Sequence, residues 1–345
     1  MHYQAAQGRY DATEKGWFRR CGRSGLMLPA ISLGCWHNFG RTGSDSRQVQ
    51  EEAEFHENCR AMLTTAFDCG ITHFDLANNY GPPPGAAEER IGRILMSDFR
   101  SYRDELIIST KAGWDMWPGP YGNWGSRKYL LASLDQSLRR LQLDYVDIFY
   151  SHRPDPNTPL EETLGALDTA VRSGKALYAG ISSYSGASTA EVVEVCERNG
   201  FVHPIIHQPS YSMLNRSIEQ DLLPITEERG LGVIVFCPLQ QGLLTEKYLK
   251  GIPEDSRASV TASALSQDDV QKAPLESLRA LNDVAHERRQ TLAQMALSWV
   301  LRTDSVTSAL IGASRPTQIT ENVRCMDAAP FSADEISTIE RILNS

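Results

Sequence analysis

Four side chains able to move a proton stand at or near the ends of apolar runs. Asp75 and Tyr80 share the stretch HFDLANNYG (73–81), Lys111 closes ELIISTK (105–111), and His152 closes YVDIFYSH (145–152). A phenol ordinarily loses its proton near pH 10 and is a poor acid at neutral pH, but a neighbouring ammonium stabilises the phenolate and lowers that value. Lys111 can be that ammonium, and Asp75 the counter-ion that a buried lysine needs. His152 can donate to a carbonyl oxygen and orient it. Together the four suit protonation of an oxyanion as it forms. Each has a plainer role alone: a strand-end Asp caps a loop, a Tyr packs its ring, a Lys after a strand is solvated. Only a shared rim would join them.

The elements that must supply this rim are legible. Eight β-like runs recur, at 30–36, 71–77, 105–111, 145–152, 176–182, 204–210, 232–238 and 307–314. Between them lie segments with apolar residues at i, i+3, i+4 and i+7, such as LLASLDQSLRRLQ and LAQMALSWVLR, which predict amphipathic helices. Gly70, Gly174, Gly200 and Gly230 stand where helices should stop. Strand and helix in alternation indicate parallel β/α units. Eight units, with no G-x-G-x-x-G after any strand, favour a closed (β/α)8 TIM barrel over a doubly wound sheet. Residues 17–345 are expected to form this single α/β domain, after a flexible N-terminal extension, 1–16. Residues 17–29, WFRRCGRSGLMLP, predict a β-hairpin capping the bottom of the barrel, with its turn around Gly22 to Gly25. Residues 250–274 predict a long polar loop after the seventh barrel strand, of the length often found in functional lids. In such a barrel the C-terminal ends of the strands face the active site, and there Asp75, Tyr80, Lys111 and His152 would converge.

Composition narrows the partners. With 41% hydrophobic residues the 345-residue chain can bury a large core, and a net charge of −9 argues against nucleic acid and anionic membranes. The start lacks the apolar run of a secretory signal, and no stretch approaches the ~20 apolar residues of a membrane span. A cytoplasmic location is expected. The seven cysteines include no C-x-x-C pair, so they read as reduced thiols rather than a disulfide framework or zinc site. His203 and His207 are spaced H-x-x-x-H, but the β-branched residues between them suggest an extended strand, and no metal is expected.

The four proton-handling residues resemble the Asp, Tyr, Lys, His tetrad of the aldo-keto reductases. The resemblance runs from about Trp17 onward through HFDLANNYGPPPG, ELIISTKAGWDMWPGPYG, SRKYLLASLDQSL, YVDIFYSHR, GKALYAGISSYS and IHQPSY. Within the family it is nearest the bacterial L-glyceraldehyde 3-phosphate reductase branch. It implies NADPH-dependent reduction of a small aldehyde or ketone, of the glyceraldehyde 3-phosphate or methylglyoxal type, with Tyr80 giving the proton to oxygen. It also implies cofactor-binding residues: Trp36, Asp75 and Pro238, with Ser182 and Gln208 at the carboxamide, Phe236 stacked on the ring, and Leu239 and Gly242 along the pyrophosphate. Gly312, Ser314, Gln318 and Asn322 in LIGASRPTQITEN match the adenosine-phosphate motif, and Lys247 with Arg257 matches the pair that grips a 2′-phosphate, favouring NADP(H) over NAD. Ser183 stands where many relatives carry Asn or Arg. The chain ends soon after the phosphate motif, so substrate selection is expected from the other rim loops. Trp36, Trp114, Tyr80 and His152 would line the substrate pocket, with Trp117 a further wall. Relatives form tetramers and octamers, so a homo-oligomer is the expected assembly.

Two rival readings use the same residues. The β subunits of potassium channels share the fold and much of the nucleotide motif but serve as NADP-binding regulatory modules; they carry Asn where this chain has His152. A barrel lyase or isomerase working through a Schiff base would use Lys111 differently, and leaves the nucleotide motifs unexplained.

Overall fold

The computed structural model describes residues 3–11, 16–40, 46–249 and 273–344. Among these residues there are ten strands: β1 (Phe18–Arg20), β2 (Met27–Pro29), β3 (Ile31–Gly34), β4 (His73–Asp75), β5 (Ile107–Ala112), β6 (Val146–Ser151), β7 (Ala176–Ser182), β8 (Ile206–Gln208), β9 (Gly232–Val235) and β10 (Ser308–Ile311). The last eight form a closed parallel barrel in the order β10-β3-β4-β5-β6-β7-β8-β9. These are the eight runs expected from the sequence. The run at 204–210 is strand only over Ile206–Gln208, because Pro204 and Pro209 carry no N–H for the ladder.

The hairpin is also as expected: β1 and β2 pair antiparallel, with Phe18 opposite Pro29 and Arg20 opposite Met27. It lies across the N-terminal mouth. The Arg23 amide donates to the Gly230 carbonyl just before β9 at 3.0 Å, and the Arg19 guanidinium donates to the carbonyls of Leu301 and Val306 ahead of β10. Gly22 has φ +55°, and a Cβ there would meet the Gly230 carbonyl oxygen at 2.1 Å. Only glycine permits both that backbone and that approach.

Where a flexible extension was expected, residues 3–11 lie against the barrel. The Tyr3 hydroxyl donates to Asp68 at 2.6 Å, and Arg9 pairs with Glu105 at 2.7 Å. The loop expected at 250–274 falls almost wholly outside the described residues.

Alternation along each strand sorts side chains into two layers. Leu33, Phe74, Ile108, Phe149, Val233 and Ile311 point outward into the layer shared with the helices. That layer is apolar because the surrounding helices present apolar faces: in Arg127–Leu141, Leu130, Leu134, Leu138 and Leu141 recur at helical spacing and are buried. This helix starts on Ser126, whose side chain accepts from the Tyr129 amide. Inward-pointing residues fill the barrel itself. Near its bottom are Leu28 and Cys21 of the hairpin, with Ile107, Ile148, Ile206 and Ile234. Above them the filling turns polar, with Ser32, His73, Ser109 and Ser308, all fully buried.

Candidate active site

The C-terminal ends of the strands bring the expected residues together. Trp36 follows β3, Asp75 ends β4, and Tyr80 sits in the loop after it. Lys111 is in β5, and His152 follows β6. Ser182 ends β7, Gln208 ends β8, Phe236 follows β9, and Gly312 follows β10. Asp75 is paired with Ser109 in the β4–β5 register, and Lys111 with Tyr150 in that of β5–β6. Being two residues apart, Ser109 and Lys111 share the inward face, so both meet Asp75.

At the centre is an ion pair sealed from water. Lys111 Nζ donates to Asp75 Oδ2 at 2.5 Å and to the Leu76 carbonyl at 2.7 Å, and both side chains are fully buried. Asp75 Oδ1 accepts from Ser109 Oγ at 2.7 Å and from Gln208 Nε2 at 3.1 Å. A buried carboxylate with an ammonium and two further donors has its charge and lone pairs answered, as burial demands. Lys111 Nζ also stands 5.1 Å from the centroid of the Tyr80 ring. The His152 ring lies 6.0 Å from the Tyr80 ring and the Trp36 ring 6.3 Å from it. Trp114 meets His152 edge to face at 6.2 Å. Trp36 and Trp114 are 42% and 43% exposed, which makes them walls of an open mouth rather than core.

The electrostatics correct one expectation. Lys111 was expected to pull the Tyr80 phenol down; instead burial, then the Asp75 charge, push it well above its ordinary value. The reason is geometric: the ammonium is matched by Asp75 at 2.5 Å, so the phenol sees a nearly neutral pair and the desolvation penalty prevails. Burial also lowers Lys111, against the opposing pull of Asp75. His152 is held well below the usual histidine range by burial and by the charges of Lys111 and Arg153. It is therefore neutral near pH 7, and its buried Nδ1 has no partner among the described residues.

Residues expected to bind a nucleotide lie at or beyond the remaining strand ends. Ser182 Oγ donates to the Gln208 carbonyl at 2.8 Å, so these two are held against each other. Phe236 packs one side on the barrel interior and continues into a loop in which Cys237, Gln240, Gln241 and Gly242 all have positive φ. Three non-glycine residues in that region within six positions is a concentration of backbone strain typical of ligand-binding loops. Pro238 is buried and Leu239 half-buried in this loop, and the buried Gln241 Oε1 has no partner within the described residues. Gln318 Oε1 accepts from both the amide and the hydroxyl of Ser314, at 2.8 and 3.2 Å. This joins the turn after β10 to the helix Pro316–Val323, in which Asn322 is buried. A Cβ on Gly312 would meet nothing within 4 Å. The strained loop, the orphaned Gln241 oxygen and the open space at Gly312 suit an extended polar ligand crossing from β9 to β10. Lys247 is exposed, its amide bonded to Thr245 Oγ1 at 3.3 Å; Arg257 lies outside the described residues.

Trp117, expected as a further wall, packs its ring on Tyr129 at 5.2 Å. Several contributors escaped sequence reasoning. Ser109 had a signal, being two residues before Lys111 on the same face. Arg153 is sandwiched between Trp114 and Trp124, at 3.8 and 3.6 Å from their centroids, and donates to the Gly113 carbonyl and to Asn123. Asn78 donates to the Tyr129 hydroxyl, which in turn donates to the Trp114 carbonyl, so Trp114 is tied through Tyr129 to the loop after β4. Among the described residues no group of His, Cys, Asp or Glu could hold a metal ion, no helix is long and apolar enough to cross a membrane, and none of the seven cysteines forms a disulfide.

The chain is similar to known proteins along most of its length. A model of the Aldo/keto reductase family matches residues 30–344. Over 328 residues the chain is 57% identical to the L-glyceraldehyde 3-phosphate reductase of Escherichia coli (strain K12), which covers 94% of this chain and 91% of that protein. It is 37% identical over 336 residues to a putative voltage-gated potassium channel subunit beta of Schizosaccharomyces pombe, covering 95% of this chain and 93% of the relative. A probable subunit of the same kind from Oryza sativa subsp. japonica is 35% identical over 332 residues, 95% of this chain and 97% of the relative. A barrel matched to that family from Ala30 to Asn344, and more than half identical to a reductase along nearly its whole length, belongs to the aldo/keto reductase family and is an oxidoreductase.

Proposed function

We propose that the protein reduces small aldehydes, of the glyceraldehyde 3-phosphate or methylglyoxal type, to alcohols with NADPH, and that Tyr80 is the proton donor. The observation that carries this reading is the placement of Lys111 Nζ between the Asp75 carboxylate, at 2.5 Å, and the Tyr80 ring, at 5.1 Å. When bound, the nicotinamide supplies a hydride to the carbonyl carbon. Ser182, Gln208, Phe236, Pro238, Leu239, Gly242, Gly312, Ser314, Gln318 and Asn322 would hold the nucleotide, Trp36 and Asp75 would lie beside its reactive ring, and Lys247 with Arg257 would grip a 2′-phosphate.

The chain's own groups then handle the proton. The raised Tyr80 phenol is fully protonated at neutral pH, so the donor is loaded before the reaction begins. An alkoxide is a much stronger base than a phenolate, so transfer runs downhill once negative charge builds on the substrate oxygen. Lys111 lies within reach of the phenolate that results and stabilises it as it forms. His152, neutral, offers one N–H to the carbonyl oxygen and fixes the direction from which Tyr80 is met. Trp36 and Trp114 are the walls against which a short aldehyde rests, and the half-open mouth suits a small substrate.

The test is NADPH oxidation across a panel of short aldehydes. Tyr80→Phe removes the donor and should lower kcat by about 10²-fold to about 10⁴-fold; full activity in that variant would sink the mechanism. Replacing Lys247 and Arg257 together by Ala should weaken NADPH binding at least about tenfold and NADH binding little, since only the former has a phosphate to grip. Equal losses for both would refute the assignment. The reading as an NADP-binding regulatory subunit draws on the potassium channel relatives, but their identity to this chain is 35–37% against 57% for the reductase, and a neutral imidazole beside Tyr80 favours turnover. Homo-oligomerisation and a cytoplasmic location complete the proposal.

A further inference from the structure

The inner wall of the barrel carries a line of hydrogen bonds beneath the centre just described. Ser308 Oγ and Ser32 Oγ are 2.7 Å apart. Ser32 Oγ lies 3.0 Å from His73 Nδ1, and His73 Nε2 lies 2.9 Å from Ser109 Oγ. Ser109 Oγ then reaches Asp75 Oδ1 at 2.7 Å. The line crosses four neighbouring strands, β10, β3, β4 and β5, and every member is fully buried.

Its direction follows from proton counting. The Asp75 carboxylate, paired with Lys111, only accepts, so Ser109 gives it the single hydroxyl proton it has. The Ser109 oxygen must then receive a hydrogen bond, and among the described residues the neighbour able to give one there is His73 through Nε2–H. A neutral imidazole carries one proton, so Nδ1 accepts from Ser32, which in turn receives from Ser308. Ser32 and Ser109 are the groups that touch the imidazole, while Asp75 and Lys111 are the charges that act on it. Burial dominates these and lowers the His73 pKa to about 4, which keeps the ring neutral near pH 7. All the donors therefore point one way, toward Asp75.

We propose that His73 is a positioning residue for the reduction, holding Ser109 on Asp75 Oδ1 so that Oδ2 stays on Lys111. This rests on the reading of Asp75, Lys111 and Tyr80 as the reducing centre. Without the imidazole, the Ser109 oxygen is buried and unanswered, its hydroxyl is free to turn away, and the carboxylate loses one of the two donors that fix Oδ1. Lys111 then loses the fixed oxygen that holds its ammonium toward Tyr80. A polar layer that merely filled space would have no influence on the ionisation of the centre.

Two measurements test this. Nitrogen NMR of the intact chain labelled in histidine should show His73 protonated at Nε2 alone from about pH 7 to about pH 9; a predominant imidazolium, or a proton on Nδ1, in that range overturns the proposal, whether or not the protein is active. In kinetics, His73→Leu should lower kcat about tenfold while cofactor Kd stays within about twofold. It should also shift the alkaline limb of the kcat profile to lower pH, because a carboxylate free to turn holds the Lys111 proton less well. His73→Gln, which keeps one donor and one acceptor on one planar carbon, should recover most of kcat and restore the limb. Ser109→Ala breaks the link next to Asp75 while sparing the imidazole, and should behave as His73→Leu does; it replaces that variant if His73→Leu fails to fold. Parental kcat and an unmoved limb in both His73→Leu and Ser109→Ala would refute the role. An inactive parent protein would instead count against the reductase reading, with the tautomer still deciding the direction of the hydrogen bonds.

Discussion

The Asp75–Lys111 pair should behave as one unit in stability, and a double-mutant cycle measures this. Both side chains are fully buried, and their charges meet at 2.5 Å. Asp75→Asn leaves the ammonium in the barrel with the Leu76 carbonyl and a neutral amide as its partners. Lys111→Met leaves a carboxylate with only Ser109 and Gln208 to answer it. Removing one partner of a buried pair typically costs about 3–5 kcal/mol, because the other charge remains uncompensated. The double variant leaves no buried charge: the amide oxygen introduced by Asp75→Asn can still accept from Ser109 and Gln208, and the thioether introduced by Lys111→Met fills most of the space of the lysine stem. It should therefore lose less than the two single losses added, with a coupling of about 2–3 kcal/mol, the upper end for residues in direct contact. Urea unfolding followed by fluorescence of the six tryptophans and by circular dichroism gives the four midpoints, and equal slopes are required for the comparison. Strict additivity, or single losses below about 1 kcal/mol, would refute the reasoning.

Two further outcomes are expected. Arg153→Leu removes the cation between Trp114 and Trp124 and the bonds to Gly113 and Asn123, so Trp114 should lose its fixed place beside His152; the KM for a short aldehyde should rise about five- to tenfold with kcat changed less, and a kcat loss at constant KM would contradict this. Three histidines held as neutral rings, His73 and His207 fully buried and His152 half-buried, make the fold sensitive to acid. Their folded pKa values are depressed, to about 4 for His73 and about 3 for His207, with His152 also well below its ordinary value. Below the unfolded value near 6.5 the unfolded chain therefore binds protons that the folded chain refuses. This stabilisation is complete above about pH 6.5 and is lost progressively as pH falls from there to the folded values, by up to about 1.4 kcal/mol per pH unit for each ring. A urea midpoint that stays constant from about pH 7 down to about pH 5 would contradict it.

How much of this was legible in the sequence depended on the range of the interaction. The eight strands were readable because each announces itself locally, by an apolar run with turn residues at its ends, and Asp75, Tyr80, Lys111 and His152 were placed because strand ends inherit the barrel's polarity. His73 was not read, because a histidine inside HFD looks like one more core residue until its neighbours are known. Those neighbours arise from closure: Ser32 is 41 positions away and Ser109 is 36 away, while Ser308, next in line, is 276 positions from Ser32. Arg153 escaped for a similar reason. Its two indoles come from one loop, but that loop is held in place by a bond from Tyr129 of a neighbouring helix to the Trp114 carbonyl.

The correction at Tyr80 changes what Lys111 is for. A lysine that lowered the phenol in the resting protein would make Tyr80 a stronger acid at the cost of leaving it partly deprotonated before substrate arrived. With Asp75 answering the ammonium at 2.5 Å, the resting phenol keeps its proton. The ammonium counts most when the phenol gives that proton up, because negative charge then appears close to Lys111 in a site with little water to screen it. An interaction that strengthens between the ground state and the transition state accelerates the step, whereas one equally strong in both does not. Asp75 thus restrains Lys111 in the resting state, and the donors behind Asp75 keep that restraint fixed in direction. Their influence should appear in kcat and in its pH profile rather than in cofactor affinity, as the His73 and Ser109 variants test.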